Sequence, residues 1–264
     1  MPFANNSGVK IYYEVEGQGR PLILQHGLGR SLESWRILGY AQELKKDYQL
    51  ILVDARGHGK SDRPHDPQAY TYEKFASDYV AILDDLEIVK ASYFGYSMGA
   101  AIGFKAIAKY ALSRFNSLIL GGINPMNTTP EPERLLFKEQ ISSWTLAIKE
   151  GLQAHIASWE RRYGRPFDPR LVPTMLANDP EALLLITRRL ADEVGVEEVL
   201  PKINVPCLLF AGTVDVFHPG IKEAATRMPN ATFFSLLGHD HMQAYTHIEL
   251  TLPYIKKFLA EVNR

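Results

Sequence analysis

The chain is nearly devoid of cysteine. Cys207 is the only one in 264 residues, so no disulfide can form within it. Its setting, Pro206-Cys207-Leu208-Leu209-Phe210, reads as a buried strand in which the thiol is a small hydrophobe, not a nucleophile. Net charge is almost absent too: 29 basic against 30 acidic residues leave −1. That balance offers no electrostatic reason to expect nucleic acid, a membrane surface or a polyanion as partner. No run approaches the roughly 18 apolar residues of a membrane span. The opening residues, Met1-Pro2-Phe3-Ala4-Asn5-Asn6-Ser7, have neither a basic nor an apolar signal region, so a reducing, cytoplasmic setting is expected. Internal repeats and low-complexity tracts are missing as well.

What is present is enough apolar residue, 46%, to bury a large core. Alternating Lys10-Ile11-Tyr12-Tyr13-Glu14-Val15, bounded by Gly17-Gln18-Gly19, predicts an antiparallel edge hairpin. Short continuous apolar runs follow at Pro21–Gln25, Gln49–Val53, Ala91–Gly95, Ser117–Gly122, Pro206–Ala211 and Thr232–Leu237. Runs of that length suit strands covered on both faces. Helical patterns alternate with them at Thr71–Leu86, Ser97–Tyr110 and Tyr254–Val262. The expected fold is therefore α/β, a mostly parallel central sheet with helices on both faces. The rhythm breaks from Asn124 to about Leu200, where helices fit Pro132–Ile141, Trp144–Tyr163, Pro169–Ala177 and Pro180–Glu193. The expected organisation is a core domain of residues 1–123 and 201–264, with an inserted helical cap at 124–200.

Gly95-Tyr96-Ser97-Met98-Gly99 fits G-x-S-x-G at a strand-to-helix turn, where a serine is held at the tip of a tight backbone bend. Glycines two residues to either side leave room for that bend. The alternative for this pentapeptide is an N-cap serine in an ordinary βα unit. Upstream, the strand Leu22–Gln25 enters His26-Gly27-Leu28-Gly29, a loop whose backbone amide can do chemistry. The N–H groups of Leu28 and Met98 would together hold an oxyanion, with His26 bracing the loop.

With Asp54-Ala55-Arg56-Gly57-His58-Gly59-Lys60-Ser61 between them, these segments resemble the successive signatures of the α/β-hydrolase superfamily, in order and over essentially the whole chain. The resemblance makes the middle signature scaffold, with Asp54 and Arg56 structural. It also implies the order nucleophile, acid, base. The strand after the cap ends in Gly212-Thr213-Val214-Asp215, which makes Asp215 the acid; the family's other acid position holds Asn124, which cannot ionise. Near the C-terminus, Gly238-His239-Asp240-His241 offers two bases. Family members place the base about seventeen residues before the aromatic of a final Phe-Leu pair. Counting back from Phe258 gives 17 to His241 and 19 to His239, so His241 is chosen and His239 is the rival.

His58, His65, His155, His218 and His247 read as surface, loop or cap residues, His218 at the site rim, and none has metal-site spacing. No metal and no cofactor is expected. Trp35, Met126, Trp144 and Phe217, together with Leu28 and Met98, are the expected pocket residues, and Trp159 fits the core better. They imply an apolar pocket with few charged anchors. The expected function is a serine hydrolase of small-to-medium carboxylic esters, with a small-molecule ester as partner. A lactonase, a cofactor-free perhydrolase, a carbon–carbon bond hydrolase and a small-molecule receptor retaining the triad are the alternatives.

Overall fold

A computed structural model describes residues 2–126, 130–192 and 195–262. The apolar runs form strands because side chains of that kind must be covered on both faces, and a layered sheet supplies the cover. Among the described residues eight strands make one sheet: β1 (Phe3–Asn6), β2 (Val9–Glu16), β3 (Arg20–Gln25), β4 (Tyr48–Val53), β5 (Ala91–Tyr96), β6 (Phe115–Gly121), β7 (Cys207–Gly212) and β8 (Ala231–Leu236). Their order across the sheet is β1-β2-β4-β3-β5-β6-β7-β8. The β1–β2 and β2–β4 pairs are antiparallel and the rest parallel. The parallel strands end level with one another: Gln25 lies beside Val53 and Gly95, Tyr96 beside Gly121, and Gly212 beside Leu236. Every loop leaving a carboxyl end therefore emerges on the same edge, the usual place for a site in an open α/β sheet.

The opening hairpin differs from expectation. β2 is an interior strand, and its hairpin partner is β1, joined through Ser7 and Gly8 with φ of 53° and 89°. Two left-handed residues make the turn whose twist matches a β-hairpin. Gly17–Gly19 instead links β2 to β3.

The helices are α1 (Glu33–Ile37), α2 (Tyr40–Leu44), α3 (Tyr72–Asp85), α4 (Met98–Ala101, continuing as a helix of wider turn over Ile102–Ala111), α5 (Glu131–Glu150), α6 (Leu152–Tyr163), α7 (Val172–Leu176), α8 (Pro180–Asp192), α9 (His218–Arg227), α10 (His241–Thr246) and α11 (Ile248–Val262). None is long and apolar enough to cross a membrane, among the described residues. The sheet face buries Phe75, Tyr79, Ile82 and Leu83 of α3, the apolar side predicted for that segment.

Helices α5 to α8 lie between β6 and β7 and cover the carboxyl edge of the sheet. Their breaks depart from the sequence reading. No helix ends at Ile141; α5 passes through Ser142 and Ser143 and stops at Gly151, whose φ of 90° and ψ of 164° no helix can hold. Ser142 does not break the helix because its hydroxyl donates to the Lys138 carbonyl one turn back, at 3.0 Å. The Pro169–Ala177 helix is a short turn at Pro169–Leu171 leading into α7, and Glu193 at the expected end of α8 lies outside the described residues. The sequence reading assigns no helix to His218–Arg227, yet α9 forms there and buries Gly220, Ile221 and Ala224.

Candidate active site

β5 delivers Ser97 to the sheet edge, and its backbone there is strained: φ is 55° and ψ −115°. The turn is held because the Ser97 N–H donates to the Gly121 carbonyl at 2.8 Å. It can form only between glycines. A Cβ on Gly95 would overlap the Gly99 carbonyl, and one on Gly99 would overlap the Gln25 carbonyl at the end of β3. α4 begins immediately after, so the Met98 N–H is one of the amides a helix start leaves without a partner in the helix.

Two other strand ends converge on Ser97. Asp215, in the loop after β7, has a fully buried side chain. Its Oδ1 accepts the Phe217 N–H at 3.1 Å, and its Oδ2 lies 2.9 Å from His241 Nδ1. His241 Nε2 in turn lies 3.0 Å from Ser97 Oγ. His241 is the first residue of α10, and the preceding Asp240 caps that helix: its carboxylate accepts the Met242 and Gln243 N–H groups, while Gln243 accepts the Asp240 N–H. Tyr96 adds a second constraint by donating its hydroxyl to the His241 carbonyl at 2.6 Å. His239 points elsewhere. It is half-buried, bonds the Leu237 carbonyl at 2.8 Å and meets the His247 ring. Of the two candidate bases, only His241 sits between a serine and a carboxylate.

The His26–Gly29 loop faces Ser97 from β3. Among the described residues no acceptor is found for the Leu28 N–H. Two buried histidines brace the loop. His26 Nδ1 donates to the Gly27 carbonyl at 2.8 Å and its Nε2 accepts the Ala55 N–H at 3.2 Å. His58 Nε2 accepts the Gly29 N–H at 3.1 Å. Burial lowers His26 to about 4 and His58 well below its ordinary value, so both stay neutral, as these bonds require. The bracing role of His26 matches the sequence reading; His58, read there as a surface or loop residue, is fully buried and supports the same loop. Asp54 accepts the Leu32 and Lys60 N–H groups, and Arg56 grips Asp78 at 2.5 and 2.6 Å, which leaves both within the scaffold.

Ser97 and His241 open onto a cavity of about 90 Å³, closed over by α5, α6 and α7. Trp144 and Leu28 line it as expected, and so does Trp159, which the sequence reading left in the core. Four expected pocket residues, Trp35, Met126, Phe217 and Met98, do not. Trp35 is fully buried among Tyr40, Phe94 and Tyr245 beneath the sheet edge. Met126 and Phe217 line a separate cavity of about 20 Å³, beside Asn124 and Glu133. Asn124, at the alternative acid position, donates to Glu133 at 2.9 Å, and burial pushes that carboxyl up to about 7. Met98 is buried and is not among the cavity's lining residues. Two charged side chains, Arg30 and Arg162, line the main cavity, as does His155, whose Nδ1 lies 2.8 Å from Ser143 Oγ. Arg30 stands two residues beyond Leu28 in the same loop, and that proximity was the available sequence signal. Among the described residues no group of three or more His, Cys, Asp or Glu could hold a metal ion.

Comparisons with known proteins place the chain in a family and agree with its fold. The family model described as the alpha/beta hydrolase fold matches residues 20–173, more than half of the chain. A Synechocystis sp. protein, provisionally named a non-heme chloroperoxidase, is 25% identical over 97% of this chain and 96% of its own. The 3-oxoadipate enol-lactonase 2 of Acinetobacter baylyi is 28% identical over 78% of this chain and 76% of its own. Among solved structures, a carboxylesterase study of the thaumarchaeon Nitrososphaera gargenis supplies a chain that superposes with a TM-score of 0.86 at 22% identity, covering 99% of each. At that identity the last likeness speaks for the fold alone.

Proposed function

The chain belongs to the alpha/beta hydrolase family, and on that premise we propose that it is a serine hydrolase cleaving small carboxylic esters through an acyl-enzyme. The observation that carries the reading is the run of contacts from Ser97 Oγ to His241 Nε2, and from His241 Nδ1 to Asp215, at 3.0 and 2.9 Å. A serine hydroxyl becomes a useful nucleophile only when a base takes its proton, and the base needs a fixed tautomer. Asp215 keeps the proton on His241 Nδ1, leaving Nε2 to accept the one from Ser97. Ser97 Oγ then attacks the ester carbonyl, and the oxyanion settles between the Leu28 and Met98 amides. Collapse of that intermediate expels the alcohol, which takes the proton from His241. Water, deprotonated by the same imidazole, releases the acid and restores Ser97.

The cavity limits the substrate. The cavity is small, about 90 Å³, and partly open, so a short acyl group fits beside Ser97 while the alcohol extends outward. A lactone is a cyclic ester and passes through the same steps; the relative named an enol-lactonase makes it the second reading. Turnover of short p-nitrophenyl esters and of small lactones tests both. The expected result is saturable hydrolysis lost in Ser97→Ala. Ligand-dependent association with another protein, without turnover, would replace the enzyme reading with a receptor.

A further inference from the structure

The main cavity carries a charge that the reaction outlined above does not use. Arg30 is 5% exposed and lines the cavity together with Ser97. Among the described residues no acceptor meets its guanidinium, and its Nη1 is enclosed without any partner. The Phe167 ring from the helical cover lies 4.6 Å from the guanidinium carbon, and Tyr245 and Tyr163 are close enough to feel its charge. Stacking of that kind occupies the face of a guanidinium, whereas its N–H donors lie in the plane and remain unspent. Asp168 acts on Arg30 only through its field, since Arg170 holds that carboxylate at 2.7 Å. Burial lowers Arg30 to about 10, which still leaves it a cation at neutral pH.

The rest of the lining does not balance this charge. Arg162 adds a second guanidinium; one nitrogen is paired with Glu139 at 2.6 Å, and its Nε is enclosed without an acceptor. His155 is pushed down to about 3 by burial and is neutral. No Asp or Glu is among the described lining residues. A neutral substrate would leave a desolvated guanidinium without a hydrogen-bonded counter-charge beside it, which is a costly arrangement. The loop that carries Arg30 is braced independently of its side chain, through His26 and His58.

We propose that the pocket is built for an anionic substrate, a short ester or lactone bearing a free carboxylate, and that Arg30 is the group that receives that carboxylate. The inference rests on the ester-hydrolase reading for the reacting end and on Arg30 for the other end. A carboxylate matches the planar fork of a guanidinium with two parallel hydrogen bonds. Because Arg30 and Ser97 line the same small cavity, the substrate class is the half-ester of a short dicarboxylic acid.

The test compares monomethyl succinate with methyl isocaproate, which has nearly the same shape and no charge, by pH-stat titration. Succinate binding is followed separately as a rise in Tm. The wild-type chain prefers the half-ester in kcat/KM by on the order of 100-fold, the scale of one buried charge-assisted contact. Arg30→Met removes that preference chiefly through KM, and Arg30→Lys, which keeps the charge but not the fork, restores part of it. Succinate raises the Tm of the wild type and not that of Arg30→Met. The Met variant itself melts no lower than wild type, because it deletes an unpaired buried charge. A wild-type preference for the neutral ester, or a parallel loss on both esters with the succinate shift intact, overturns the proposal. Arg30-dependent succinate binding without hydrolysis of either ester keeps the anion site and removes the ester reading. Ser97-dependent hydrolysis of the neutral ester without succinate binding does the reverse.

Discussion

The loops at the carboxyl edge of the sheet and the helices that cover them obey different kinds of rule. At the sheet edge the backbone dictates the sequence. Ser97 sits at φ 55° because the turn demands it, and neither Gly95 nor Gly99 has space for a Cβ. In the cover the side chains dictate the environment and the backbone is ordinary helix. Trp144 reaches the cavity from α5 and Trp159 from α6, and no special φ or ψ marks either position. On the proposed function, the edge sets the reaction, and the cover, with Arg30 facing it, sets the substrate. In each region a substitution should disturb one of these and spare the other.

The largest effect belongs to the edge. His241→Ala is expected to lower kcat by about a millionfold, the scale seen when the base of a serine triad is removed. His239→Ala, two residues away and bonded to neither Ser97 nor Asp215, should retain activity within a few-fold. Steady-state kinetics on one activated ester measures both. Equal losses would mean that the segment, not the His241 imidazole, carries the effect. In the cover, Trp144→Leu widens the cavity beside Ser97 and is expected to shift preference by about tenfold toward longer acyl groups, the discrimination typical of a methylene or two in a pocket. An acyl-length series measures the shift. A uniform fall across the series would place Trp144 with the reaction and erase the distinction between the regions.

The same distinction explains how much could be read from the sequence. Ser97, Asp215 and His241 were legible because strained turns and strand ends leave short fixed patterns, and the structure brings the three together. The parallel sheet was legible from its continuous apolar strands. The pocket was not. Trp35 and Trp144 are the same residue type, each near a catalytic loop, yet one is buried under the sheet edge and the other faces the cavity. Only the packing of α5 against the rest decides that. Met126 and Phe217 fell to a neighbouring cavity for the same reason. Arg30 escaped notice because composition counts charges without locating them, and a net charge of −1 conceals two arginines in one cavity. The break of the cover at Gly151 instead of Ile141 reflects local chemistry, since a serine that bonds the preceding turn does not end a helix.

The central claim is that Ser97 is a nucleophile activated by His241. It is tested most directly by treating the chain with a small fluorophosphonate and locating the adduct by peptide mass spectrometry. The account predicts one phosphonyl group per chain, on Ser97, formed slowly or not at all in His241→Ala. An adduct on another residue, or labelling of Ser97 at an unchanged rate without His241, would contradict it.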